Sequence, residues 1–137
     1  MSGIYWSQEH TETLPSGIVI DLSISPDDVS PEGQFASGDD EADRAMVKDI
    51  YRQIDQGNTW AWCNVRVRAT FAGFMGEDYL GCCSYRDVGE FIRPGDYYTD
   101  MVAQAVADLM ATIERESKPN PLAVAALATL TARKGGA

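Results

Sequence analysis

Seven carboxylates, Asp27, Asp28, Glu32, Asp39, Asp40, Glu41 and Asp43, crowd one short stretch of this chain, and no basic residue precedes Arg44. Ten acids stand before Arg44, while the eleven acids after it are balanced by all eleven Lys and Arg, so the whole formal charge of -10 belongs to the first 43 residues. Such a field steers a positively charged partner and repels nucleic acid, which favours binding over catalysis and disfavours direct nucleic-acid contact. Three uses of the segment compete. It is a loop kept soluble by charge, or a surface that imitates the phosphate backbone and docks on the basic groove of a nucleic-acid-binding protein, or a calcium loop, whose ligand spacing is absent here.

A second constellation comes from TWAWCNVRVRATF, residues 59–71. Read with period two, Ala61, Cys63, Val65, Val67, Ala69 and Phe71 share one face, and Trp60, Trp62, Asn64, Arg66, Arg68 and Thr70 share the other. If helices cover the first face, Trp60, Trp62, Arg66 and Arg68 lie open, and Trp and Arg are the types most frequent at interface hot spots. The competing reading packs the tryptophans beneath the N-terminal segment and pairs the arginines with acids of the same chain, as in a strand covered on both faces. Stacking of RNA bases on this face is a third use, which the net charge opposes.

Little else has the spacing for chemistry. His10 is the single histidine, so a Ser-His-Asp or Cys-His pair depends on one residue in the N-terminal arm. Cys63, Cys82 and Cys83 have neither the C-x-x-C nor the H-x-x-x-H spacing of a structural zinc. Adjacent strand residues point to opposite faces, so one of Cys82 and Cys83 is expected in the core and one in solvent. Both remain candidates for a reactive thiol. Glu77 and Asp78 read as a solvated pair beside a turn rather than an acid-base couple. Phosphate-binding glycine motifs are missing. The expectation is a protein without cofactor or metal that is not an enzyme.

The elements that carry these residues follow from periodicity. GIVIDLSIS, residues 17–25, alternates as a half-buried strand. A polar, proline-punctuated loop follows to residue 38, expected to be mobile. Asp39 to Gln56 reads as an amphipathic helix with Met46, Val47, Ile50, Tyr51 and Ile54 on its apolar face, acids in its first turn and Gly57 after its end. Its cap falls between Ser37 and Asp40. The glycines of AGFMG turn the 59–71 strand into a second run, EDYLGCCSY, with Gly81 marking a bulge or a close backbone approach. Asp87 and Glu90 open a short turn, DVGEFIR, that Pro94 and Gly95 end. A second long helix runs from about Asp96 to Glu116, with Tyr98, Met101, Val102, Ala105, Leu109, Thr112 and Ile113 on one face. Beyond Lys118, Pro119 and Pro121 break the pattern, and LAVAALATLTARKGGA reads as a loosely ordered tail or weak helix.

The order strand, helix, strand pair, helix predicts an α+β fold: an antiparallel sheet of three to four strands with two main helices on one face, and GIYWSQ as candidate fourth strand. Val65, Val67 and Phe71 are expected to face Ile50, Ile54, Met101, Val102 and Leu109. At 137 residues and 45% hydrophobic, the chain suits one domain, residues 1–116, with the acidic loop at about 26–40 and a tail at 117–137. No basic leader or long apolar run appears, and three cysteines, two of them adjacent, are a poor disulfide framework, so an intracellular protein with free thiols and no membrane contact is expected.

TWAWCNVRVRATFAGFMGEDYLGCCSY, followed by YYTDMVAQAVADL, resembles small accessory proteins carried by phages, plasmids and other mobile elements. The likeness covers roughly residues 58–110 and rests on the WAWC run, the hairpin glycines, Cys83 to Tyr85, and Tyr97, Met101 and Ala105 on one helix face. Such elements encode short acidic inhibitors of host defence, anti-CRISPR and anti-restriction proteins among them, to which this chain is similar in size and charge. The resemblance implies that context and names no activity; taken with the segregated charge, the expectation is an inhibitor in the host bacterial cytoplasm that covers a basic surface of a nucleic-acid-handling complex. The competing class is a small regulatory or structural module that forms a homodimer through its sheet.

Overall fold

Alternating side chains pair into one antiparallel sheet of four strands in the order β1-β2-β3-β4: β1 Ser7–Thr13, β2 Val19–Pro26, β3 Cys63–Phe71 and β4 Phe74–Cys83. Helices α1 (Asp40–Asp55), α2 (Val88–Phe91), α3 (Tyr97–Glu116) and α4 (Pro121–Gly135) complete the α+β fold. The computed structural model describes residues 5–94, 97–116 and 120–135. Gly95, the helix start at Asp96, Lys118, Pro119 and the first residues of GIYWSQ lie outside the described residues.

The core is built from the two periods. Ile20, Leu22 and Ile24 of β2, with Ile18 before it, and Cys63, Val65, Val67 and Ala69 of β3 turn to one side of the sheet. Against them α3 sets Tyr98, Met101, Ala105, Leu109 and Ile113, spaced three and four apart on one helical face. The β3–β4 hairpin closes in two residues, Ala72 and Gly73, both at positive φ (53° and 84°), the conformation whose twist matches paired strands. Since Val67 is fully buried, Val67→Ala should lower unfolding stability by about 1 to 3 kcal/mol in a denaturant titration, the lost transfer energy plus a small cavity. An unchanged midpoint would put that strand face in water and reverse the register.

Three expectations shift. The fourth strand is Ser7–Thr13, later than GIYWSQ. The 59–71 strand begins only at Cys63, because Asn58 Oδ1 accepts the Trp60 amide at 3.1 Å and winds Thr59–Ala61 into a 3₁₀ turn. The Ala-rich segment is a helix packed on α3, and its Ala123, Ala126 and Leu130 join the core, so packing continues past residue 116.

The outward face of α1 differs most. Asp39 caps it by accepting the Ala42 amide at 3.1 Å, and Asp40, Glu41 and Asp43 fill the first turn beside the positive end of the helix dipole. It lies against the 3₁₀ turn at the end of the sheet. Ile50 is buried there, apart from the main core cluster, while Met46, Tyr51 and Ile54 remain 49%, 41% and 40% exposed. Ile50 and Ile54 therefore do not share a cluster with Val65 and Val67 as the sequence predicts, whereas Met101 and Leu109 do.

Candidate functional site

The acidic segment forms a strap tied by hydrogen bonds at three points. At its root Asp27 accepts the Val29 amide through Oδ1 at 2.9 Å and the Cys82 amide through Oδ2 at 2.7 Å, which ties it to the end of β4. Midway, Glu32 accepts from the Tyr51 hydroxyl of α1 at 2.9 Å and from Ser30 Oγ, and these two hydrogen bonds, Ser30 first, hold its carboxyl below the usual range. Near its end Asp43 accepts from Ser37 Oγ at 2.7 Å and from the Ser37 amide at 3.2 Å. Asp28, Asp40 and Glu41 take no part in these bonds and are exposed. Asp27, Glu32 and Asp43 thus shape the strap and Asp39 caps α1, while Asp28 on the strap and Asp40 and Glu41 in the first turn of α1 face solvent.

Between strap and α1 runs a groove of about 490 Å3, with Phe35, Val47 and Tyr51 as its apolar part and Glu32, Asp43, Arg44 and Lys48 on its walls. The helical period of α1 turns Val47 and Tyr51 toward a core, and nothing in the sequence pattern marks Phe35. The signal available was the strongly amphipathic pattern of α1, which specifies an apolar face and leaves open what covers it.

Trp60 and Trp62 are not on an open face. Trp60 sits in the 3₁₀ turn, buried in an aromatic cluster with Tyr85 (ring centroids 6.4 Å) and Phe91 (5.4 Å), and its Nε1 donates to Glu9 of β1 at 2.8 Å. Trp62 is buried under the strap: its Nε1 donates to the Val29 carbonyl at 2.7 Å, and Phe35 lies 6.0 Å away. The physical reason is the 3₁₀ turn, which breaks the period of two at Trp60, together with the strap, which roofs Trp62.

Arg66 and Arg68 do lie on the sheet face opposite α3, with their own partners. Arg68 donates through Nε and places its terminal nitrogen on Glu77 Oε2, both at 2.7 Å. Arg66 stacks its guanidinium 4.5 Å from the centre of the Trp6 ring, and its Nε, 3.9 Å from Glu77, is buried without a hydrogen bond. Tyr79 donates to Glu77 Oε1 at 3.0 Å and meets Trp6 edge-on at 6.0 Å, and burial followed by Glu77 raises its phenol. Pairing of these arginines with an acid of the same chain is the competing outcome that the sequence left open. Trp6 and Tyr79 were not singled out; cross-strand pairing of Arg66 with Tyr79 needs the register, which composition does not supply.

The groups suited to acid-base or nucleophilic chemistry are tied into structure. His10 Nε2 is 3.1 Å from Glu12 Oε2, and the ring meets Tyr98 edge-on at 5.9 Å. Tyr98 donates to Glu12 at 2.8 Å, which with His10 lowers the Glu12 carboxyl, while burial and Glu12 raise the phenol. Cys63 and Cys83 are buried and Cys82 is exposed, all three free thiols, one core and one exposed at the adjacent pair. Burial first, then Cys83, pushes the Cys63 thiol up to about 12, and burial and Asp27 raise Cys82, so neither is a ready thiolate at neutral pH. Among the described residues no three His, Cys, Asp or Glu side chains gather to hold a metal ion, and no helix is long and apolar enough to cross a membrane. No protein-family model matches the chain, and comparison with the curated proteins and the solved structures yields no match.

Proposed function

We propose that this chain acts by binding: it is a phage or mobile-element inhibitor, working in the bacterial cytoplasm, that lays its acidic strap on a basic surface of a host nucleic-acid-handling defence complex. It blocks the complex sterically and electrostatically, with no chemistry of its own and no direct contact to nucleic acid or membrane. The observation that carries the reading is the segregation of charge. Every unit of the net charge of -10 precedes Arg44, and Asp28, Asp40 and Glu41 stand exposed on a hydrogen-bonded strap and the first turn of α1. Acids held on a bonded backbone keep a set spacing, which a solvated tether does not, and such spacing is what imitation of phosphates requires. The exposed Met46, Tyr51 and Ile54 beside them supply apolar contact area.

Retention of host proteins on the immobilised chain, at low and moderate salt and with duplex DNA as competitor, tests the proposal. The expected retained species are nucleic-acid-binding complexes, released by salt and by DNA, because exposed charges beyond a Debye length of about 8 Å are screened at physiological salt. The variant Asp39→Asn, Asp40→Asn, Glu41→Gln, Asp43→Asn should slow association more than it speeds dissociation. Equal binding by parent and variant at every salt concentration would reduce the acids to solvation. Self-association at the sheet would then lead, since among the described residues β1 and β4 each leave one edge of the sheet without a neighbouring strand.

A further inference from the structure

Cys63 and Cys83 stand directly opposite one another across β3 and β4, and both side chains belong to the hydrophobic core. Residues opposed in an antiparallel pair hold their Cα atoms about 4.5 to 5.5 Å apart, inside the range of roughly 4.4 to 6.8 Å that a disulfide spans. The ladder slips just beyond this pair, between Cys63 and Val65, and the slip leaves Cys82 exposed in the left-handed region at φ 56°. Its amide is held there by Asp27 Oδ2. One end of one hairpin therefore carries two buried thiols that face each other and a third, adjacent to one of them, that meets solvent.

We propose that Cys63 and Cys83 are a redox pair that closes into a cross-strand disulfide. The oxidant is a hydroperoxide. Its terminal oxygen passes to the Cys83 sulfur on local opening at the end of the hairpin, giving a sulfenic acid, and the thiol proton leaves with the alcohol, or with water from hydrogen peroxide. The Cys63 sulfur, opposite it, then attacks the Cys83 sulfur; the S–S bond forms, the S–O bond breaks, and hydroxide leaves as water with the Cys63 proton. In sum two thiols lose two electrons and two protons, and the hydroperoxide becomes alcohol and water. Because burial holds the Cys63 proton in place, closure is slow at neutral pH and answers sustained oxidation. Cys82 also anchors Asp27, so the pair closes at the root of the acidic strap.

Peptide mapping of the folded, full-length protein before and after hydrogen peroxide, without reductant, decides the matter. Three thiols are expected before treatment; afterwards Cys63 should be linked to Cys83, with Cys82 free and the link removed by dithiothreitol. Cys82→Ser alters an exposed side chain and leaves the core intact, and the Cys63–Cys83 link should form in it at about the parent rate, since both linked sulfurs are retained. Oxidation confined to Cys82, or a Cys63–Cys83 link that forms only in denaturant, overturns the pair. Loss of the link in Cys82→Ser overturns it as well, since Cys82 would then be a partner in the oxidation.

Discussion

Gly76→Val should prevent this domain from folding. A Cβ at Gly76 would lie 2.1 Å from the Leu109 amide nitrogen, 2.4 Å from the Ala105 carbonyl oxygen and 2.7 Å from Leu109 Cα, all backbone atoms of α3. Backbone in a helix cannot swing aside as a side-chain tip does, so α3 would have to lift from β4 as a unit. Lifting it uncovers Met101, Ala105, Leu109 and Ile113, the helical half of the core. Overpacking against movable side chains costs about 1 to 3 kcal/mol; against a helix backbone we expect more than about 4 kcal/mol, a large part of the 5 to 15 kcal/mol that typically holds a domain together. Circular dichroism and thermal melting of the purified variant give the answer. Gly81→Ala is the matched control, since its added Cβ meets two side-chain oxygens, Asn64 Oδ1 at 3.2 Å and Asp27 Oδ2 at 3.8 Å, and no backbone, and should cost far less. A Gly76→Val protein that melts like the parent would mean that α3 does not ride on that glycine.

The close approach at Gly76 was not legible in the sequence, where AGFMG reads as turn punctuation. What periodicity does encode is which side of an element is apolar. Ile20, Leu22 and Ile24, and Val65, Val67 and Ala69, fall on the core side because a strand has no other way to satisfy period two. Tyr98, Met101, Ala105, Leu109 and Ile113 follow from the helical period in the same way. Trp60 and Trp62 defeat the argument because alternation read through residues 59–62 ignores Asn58, whose single side-chain bond to the Trp60 amide starts a 3₁₀ turn. The helix α1 shows a second limit: an amphipathic pattern names the face that seeks cover and is silent on whether this chain provides it, and here Tyr51 and Ile54 stay exposed. The acids are a third case. Asp27, Glu32, Asp39 and Asp43 look alike as charges, yet three of them accept hydrogen bonds that build the strap and Asp39 caps α1, a distinction that needs distances. Likewise the Cys63–Cys83 opposition depends on a slip in register that no composition announces.

Phe91→Ala should be the most damaging truncation of a single side chain. Phe91 belongs to a helix of only four residues, capped by Asp87 accepting the Glu90 amide at 2.9 Å, and its ring is fully buried. The ring centroids of Tyr85, Trp60 and Tyr98 lie 4.9, 5.4 and 6.4 Å from it, so one side chain fills the space among three aromatic neighbours from different parts of the chain. Removing it leaves a cavity that large rings refill poorly, and the expected loss is about 3 to 5 kcal/mol, with Phe91→Leu well under half of that. The damage should also travel along a named path. Trp60 donates to Glu9 and Tyr98 donates to Glu12, so both acids of β1 are held by rings that Phe91 supports. Amide exchange in Ser7–Thr13 should therefore accelerate more than exchange in the β2–β3 pairing, which rests on α3. A uniform rise in exchange across all four strands would indicate global destabilisation without this route. A loss below about 1 kcal/mol would remove Phe91 from the centre of the cluster.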